Sequence, residues 1–180
     1  MYKFLFKILV LGEGGVGKTT ILYRYVDGRF LEDTKLTVGT NFFIKDIDLP
    51  KENAKVKFQI WDLGGQEHFA AIRQNFYAGA KGVIYVFDLS RRYSFNNLLE
   101  WRDEVETILG SEIPNILIGN KLDLISDDDS LDITHDELTV MKEELHFSNY
   151  FKTSAKNNFG IQEAFHQMGL IIYQKYQQKD

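Results

Sequence analysis

Apolar and polar positions alternate along the chain in blocks whose period switches between two and about 3.6. "FLFKILVL" (4–11) is a nearly continuous apolar run and predicts a strand. "GKTTILYRYVDG" follows with helical spacing and a terminating glycine at Gly28. In "KVKFQIWD", Val56, Phe58 and Ile60 alternate with Lys55, Lys57 and Gln59, the pattern of a strand with one dry face. Its predicted partner is "NFFIKDIDL", joined to it across the polar turn "PKENAK". "KGVIYVFD" and "PNILIGN" are short and apolar throughout, as parallel strands covered on both faces must be. "SFNNLLEWRDEVETIL" and "GIQEAFHQMGLIIYQKY" read as helices, the second with Ile161, Ala164, Phe165, Met168 and Ile172 on one stripe. Thr134 and Glu137 form a capping-box pair that predicts a helix through "ELTVMKEEL". "NYFKTS" predicts a last short strand, and "SDDDS" (126–130) a solvated loop. Strands alternating with helices make an α/β domain, expected to occupy 1–180 as one unit.

Composition removes several function classes. The formal charge is -5 with no Lys/Arg-rich run, which argues against a nucleic-acid partner. There are no cysteines, hence no disulfides, thiolate metal sites or Cys-linked lipid on this chain. The longest purely aliphatic or aromatic run is "VIYVF" (83–87), far short of the roughly 20 residues that span a bilayer. Lys7 interrupts the apolar start and no small-residue cleavage pattern follows, so a buried strand is expected there instead of a signal peptide.

"GEGGVGKT" (12–19) carries the chemistry. It matches G-x-x-x-x-G-K-[ST] between a predicted strand and a predicted helix, the context in which loop N–H groups cradle phosphates. Candidate contacts are Gly12, Gly14, Gly15, Val16 and Gly17, with Lys18, Thr19 and Thr20 opening the helix. Lys18 would reach the outer phosphates and the Thr19 hydroxyl would ligate Mg²⁺. The base is named further on, in "GNKLD" and "TSAK". A carboxylate at Asp123 can accept from both N1–H and the 2-amino group of guanine, a donor pair that adenine lacks. Asn120 and Ser154 flank this site, the Ala155 N–H could meet guanine O6, and the stems of Lys121 and Lys156 could sandwich the ring.

With these motifs in order, the chain resembles the small GTPases of the Ras superfamily over essentially its full length. The resemblance implies a P-loop NTPase fold: a three-layer α/β sandwich with a mostly parallel six-stranded sheet, one antiparallel strand and about five helices. "WDLGGQE" resembles the family's D-x-x-G-Q signature, which implies that Asp62 holds Mg²⁺ through water, Gly65 N–H contacts the γ-phosphate and Gln66 orients the attacking water. "KLTVGTNF" resembles the first switch, with Thr37 nineteen residues after Lys18. Thr37 would then close the Mg²⁺ shell in the triphosphate state. Phe30 matches the aromatic packed edge-on against guanine; the alternative is an ordinary core phenylalanine. With Gln66, Lys18 and Thr37 in the catalytic roles, the implied activity is slow GTP hydrolysis to GDP, and the alternative is a non-cycling nucleotide-binding scaffold.

"KFQIWD", "NFYAGAKGVIYVFD" and "SFNNLLEW" are closest to Rab text. Leu63-Gly64 departs from the Rab Thr-Ala and is closer to Arf-type text. The chain ends at "YQKYQQKD" without a prenylatable cysteine, and its start lacks an Arf-type amphipathic helix, so no membrane anchor is expected on it. A monomer is expected, cytoplasmic or peripheral to membranes through a partner, and read by exchange, activating and effector proteins at its switch loops. His68 reads as a switch residue in preference to a general base, because phosphoryl transfer needs little base help. The four histidines lack metal-ligand spacing, and "SDDDS" lacks the glycine and glutamate of a calcium loop. Trp61 and Trp101 read as core or partner-facing aromatics.

Overall fold

The computed structural model of the chain describes residues 2–32, 36–66, 70–125 and 133–177. His68 and the 126–130 segment, both read from sequence above, lie outside the described residues, as does Lys35 of the first-switch text.

The strands are β1 (Tyr2–Leu11), β2 (Thr40–Leu49), β3 (Ala54–Leu63), β4 (Gly82–Asp88), β5 (Asn115–Asn120) and β6 (Tyr150–Lys152). They form a six-stranded sheet in the order β2-β3-β1-β4-β5-β6. Among the strands of the described residues only the β2–β3 pair is antiparallel; β1 runs parallel to β3 and β4, and β5 to β4 and β6. The hairpin turn begins at Pro50 and closes at Asn53 in left-handed conformation (φ 48°), which asparagine tolerates.

The helices are α1 (Lys18–Asp27), α2 (Ala70–Arg73), α3 (Arg92–Asn96), α4 (Leu98–Leu109), α5 (His135–Leu145) and α6 (Ile161–Gln177). Period-two alternation in β1 builds the layers. Ile8 and Val10 pack with Ile21, Phe165 and Met168 of α1 and α6, while Leu9 and Leu11 pack with Trp101, Val105 and Met141 on the opposite face. All five residues of the α6 stripe are buried, the four larger side chains contributing about 1.5–3 kcal/mol each before ordering costs. Every residue of β4 and β5 is buried, as their unbroken apolar text requires. The capping box at Thr134 and Glu137 forms as predicted.

One predicted helix, 94–109, is two. Asn97 (ψ -3°) separates α3 from α4, and its side-chain amide donates to Glu13 Oε1 at 3.1 Å. The two helices meet at this residue, where the side chain contacts the phosphate-type loop. Among the described residues, no helix is long and apolar enough to cross a membrane.

Candidate functional site

Chain order reverses at β1, and the loops leaving the C-terminal ends of β1, β3, β4 and β5 meet on one edge of the sheet, where α/β folds place ligands. The loop after β1 needs its glycines sterically. Gly12 has φ 142°, and a Cβ on it would lie 2.0 Å from the Val86 carbonyl oxygen of β4. Gly17 has φ 97°, and a Cβ on it would lie 2.4 Å from Asn120 Nδ2. Val16 is fully buried beneath the loop, and its carbonyl accepts from Asn120 Nδ2 at 3.0 Å. Helix α1 starts at Lys18 with no side chain capping it, so its first N–H groups face the cleft, an anion-binding arrangement. Lys18 is buried, and its Nζ donates to the carbonyls of Gly12 (2.6 Å) and Glu13 (2.9 Å). Burial pulls its pKa down to about 8, with Asp62 and Glu13 opposing that shift.

Two clefts flank this loop. Gly14, Lys18, Thr19, Thr37, Gly65 and Gln66 line the first. Phe30, Asn120, Lys121, Asp123, Ala155 and Lys156 line the second, of about 290 Å³. Gly15, Gly17 and Thr20 line both, so the two make one trough.

At the first end, three oxygen-bearing side chains converge from three segments. Thr19 Oγ1 donates to Asp62 Oδ2 at 2.6 Å and lies 2.7 Å from Thr37 Oγ1. Asn41 Nδ2 also donates to Asp62 Oδ2, at 3.2 Å. Asp62 is fully buried and its Oδ1 has no hydrogen-bond partner among the described residues, a polar atom left for something further to satisfy. Two hydroxyls beside a carboxylate with an orphaned oxygen fit Mg²⁺, which takes oxygen donors and shares its shell with phosphates and water.

The second end is braced before any ligand arrives. Ser154 Oγ donates to Asp123 Oδ1, and Asn157 N–H donates back to Ser154 Oγ at 3.0 Å. Asn120 is committed to bracing: it donates to Val16 and accepts from Thr153 Oγ1 at 3.0 Å. Lys121 sits in left-handed conformation (φ 67°) with its Nζ 2.7 Å from Asp88 Oδ2, leaving its stem along the cleft. Ala155 is buried, whereas Lys156 is exposed. Phe30 is half-buried; it lines the cleft and also packs against the α1–α6 core, so the two roles considered from sequence coexist.

Gly65 is buried where a Cβ would meet the Gly12 carbonyl oxygen at 2.4 Å and Gly14 N at 2.6 Å. Beside it, the Gln66 carbonyl accepts from Arg73 Nη1 at 3.0 Å. Arg73 is held in turn by an ion pair to Glu104 and by the Trp101 ring, 4.1 Å from its guanidinium carbon. The Tyr77 hydroxyl donates to Glu104 at 2.7 Å; burial, helped by that contact, raises its pKa and keeps it a donor. Trp101 is therefore a core residue, while Trp61 lies half-buried between Phe42 and Phe76, with ring centroids 5.2 and 5.3 Å away.

Sequence reasoning missed Arg24, Arg73, Glu104 and Asp88. Arg24 Nε donates to the Ala155 carbonyl at 2.8 Å and Nη2 to that of Lys156 at 3.1 Å, tying α1 to the far loop. On its helix it reads as a solvated face. Only Asp88 left a signal: a carboxylate closing the unbroken apolar run "VIYVF".

Comparison with known proteins adds the following. A family model described as the Ras family matches residues 7–174. The chain is 37% identical over 165 residues to Ras-related protein Rab-1 of Theileria annulata, covering 91% of this chain and 72% of that protein. It is 38% identical over 164 residues to GTP-binding protein yptV2 of Volvox carteri, covering 91% and 73%. Against Ras-related protein Rab-10 of Diplobatis ommata it is 36% identical over 174 residues, covering 97% and 84%.

Proposed function

The chain is a Rab-like member of the Ras family of GTP-hydrolysing small GTPases, and from that premise we propose that residues 1–180 form one nucleotide switch domain whose trough holds guanine nucleotide. The observation that carries this is the continuity of the trough, with Lys18 and the phosphate-type loop at one end and Asp123 at the other.

The loop N–H groups from Gly14 to Thr20 hold the phosphates, and Lys18 exchanges its carbonyl partners for the outer ones. Asp123 accepts from N1–H and the 2-amino group, the Ala155 N–H donates to O6, and Phe30, Lys121 and Lys156 flank the ring. Asn120 and Ser154 act by holding the loop and Asp123 in place. Gly65 N–H meets the γ-phosphate, and the Gln66 carboxamide orients water in line with it. Thr19 and Thr37 would ligate Mg²⁺ directly and Asp62 through water, and the ion would supply charge neutralisation at the outer phosphates.

Loss of the γ-phosphate withdraws the reason for Thr37 and Gly65 to stay in place, and the two loops relax. Exposed apolar side chains at Val38, Phe42 and Ile44 lie beside these loops, which suits effector, exchange and activating proteins that read the ordered state. The Rab-like character favours membrane-traffic regulation.

Single-turnover hydrolysis of GTP tests the whole reading. Tight binding and slow unaided turnover are expected, since "EDTKLT" brings no arginine to the first switch. A partner that donates charge should then accelerate it by about 10³–10⁵. Turnover on the order of one per second without a partner contradicts that expectation, and binding without any hydrolysis identifies a non-cycling scaffold instead.

Thr19→Asn separates the metal role from folding. It should weaken Mg²⁺-dependent triphosphate binding roughly tenfold more than diphosphate binding, because only the triphosphate gives the metal both β- and γ-oxygens. Fluorescent-nucleotide titration with and without EDTA measures the difference; equal loss of both nucleotides marks a folding defect.

A further inference from the structure

Asp88 closes β4 and is 1% exposed as a side chain, yet two cations share its Oδ2: Lys121 at 2.7 Å and Arg91 at 3.1 Å. Its Oδ1 accepts from the Ser90 N–H (2.9 Å) and hydroxyl (2.6 Å). Burial alone would raise the Asp88 pKa, but hydrogen bonds from Lys121 and Ser90 outweigh it and hold the carboxyl below its ordinary range. One buried carboxylate therefore anchors the lysine of the base pocket and, on its other side, an arginine.

That arginine is directed at the phosphate end. Arg91 Nη2 donates to the Gly14 carbonyl at 2.9 Å. A Cβ placed on Gly15 would have Arg91 Nη2 and Nη1 as its nearest neighbours, at 3.7 and 3.9 Å. The guanidinium thus lies over the Gly14–Gly15 crest. Gly14, the acceptor of the Arg91 bond, has its N against Gly65 and lines only the outer-phosphate cleft, whereas Gly15 lines both, so the guanidinium is bonded on the outer-phosphate side of the crest. Leu36 covers the same crest, its Cδ2 lying 3.4 Å from where a Cβ on Gly14 would be. Arg91 is 47% exposed as a side chain, and Lys121 and Ser90 still hold the buried Asp88 carboxylate without it.

We propose that Arg91 is a positioning and specificity-determining residue for the nucleotide: held by Asp88 and the Gly14 carbonyl, it adds a fixed positive charge at the crest of the phosphate loop and favours the triphosphate over the diphosphate. This rests on the guanine-nucleotide assignment above. A guanidinium that bonds a carboxylate and a carbonyl at once is pre-organised. Because it is tethered to protein acceptors, it acts on the bound state, and unaided hydrolysis stays slow. Lysine at this position carries the charge on a single flexible point and can bond only one of the two acceptors well.

The test compares the wild-type chain with Arg91→Ala and Arg91→Lys. Dissociation constants are measured for a fluorescent, hydrolysis-resistant GTP analogue and for fluorescent GDP, both with Mg²⁺, and melting curves are recorded alongside. Arg91→Ala should weaken the triphosphate up to about fivefold more than the diphosphate, the size of one partly exposed charge contact. Arg91→Lys should recover part of that preference. Equal loss for both nucleotides, or no loss, overturns the proposal, since a brace that only shapes the loop would not distinguish them. If the wild-type chain binds neither nucleotide, the guanine-nucleotide reading itself has failed.

Discussion

Gln66→Leu is expected to leave GTP affinity close to the wild-type value while cutting partner-stimulated hydrolysis roughly a hundredfold or more, the cost of misplacing an attacking group. The Gln66 backbone is fixed by Arg73 Nη1 on its carbonyl, and Arg73 by Glu104 and Trp101. Leucine keeps that backbone contact and much of the side-chain bulk. The variant therefore removes the amide and little else. An amide that orients water is used in the transition state and not in the ground state, so the rate should fall without the binding. Single-turnover assays with an activating fraction decide it. An unchanged stimulated rate would mean that water is positioned by some other group.

Asp123→Asn should lose GTP affinity by an order of magnitude or more and gain affinity for xanthosine triphosphate. The carboxylate is acceptor-only, and one of its oxygens already receives the Ser154 hydroxyl. Asparagine turns one acceptor into an NH₂ donor, which then faces the 2-amino group of guanine donor to donor. Xanthine presents a carbonyl there and pairs with it. Leaving a buried polar group unmatched costs about 1–3 kcal/mol, more where charge is involved. Competition between the two triphosphates on wild-type and variant chains reads this directly. A variant that keeps the wild-type preference for GTP would show that Asp123 does not read the base.

Local text was enough for much of the fold. The β2–β3 hairpin could be read because period-two alternation and a Pro-initiated polar turn are both short-range signals. The same holds for the capping box of α5 and the buried stripe of α6. The break at Asn97 could not: the Asn97 side chain meets Glu13, distant in sequence and adjacent only after folding. For the site, the residues with a fixed spacing, from Gly12 to Thr19 and in "GNKLD" and "TSAK", were legible. The residues that hold them were not: Arg24 on α1, Arg73 with Glu104 beneath Gln66, and Arg91 over the crest.

By itself, then, the sequence determined which groups are present and in what local order: a glycine-bearing loop between strand and helix, a carboxylate after a buried strand, a glutamine after an Asp-x-x-Gly. Those depend on spacing along the chain, where steric freedom and hydrogen-bonding periodicity act over a few residues. Only the tertiary structure decided which of them meet. Thr19, Thr37 and Asp62 come from three segments and converge within hydrogen-bond distance. Asp88 joins Lys121 to Arg91. The physical reason is that a long-range hydrogen bond or ion pair leaves no period in the sequence: its partners are brought together by packing of the sheet and helices around them, and either one alone reads as an ordinary polar residue on a loop or a helix face.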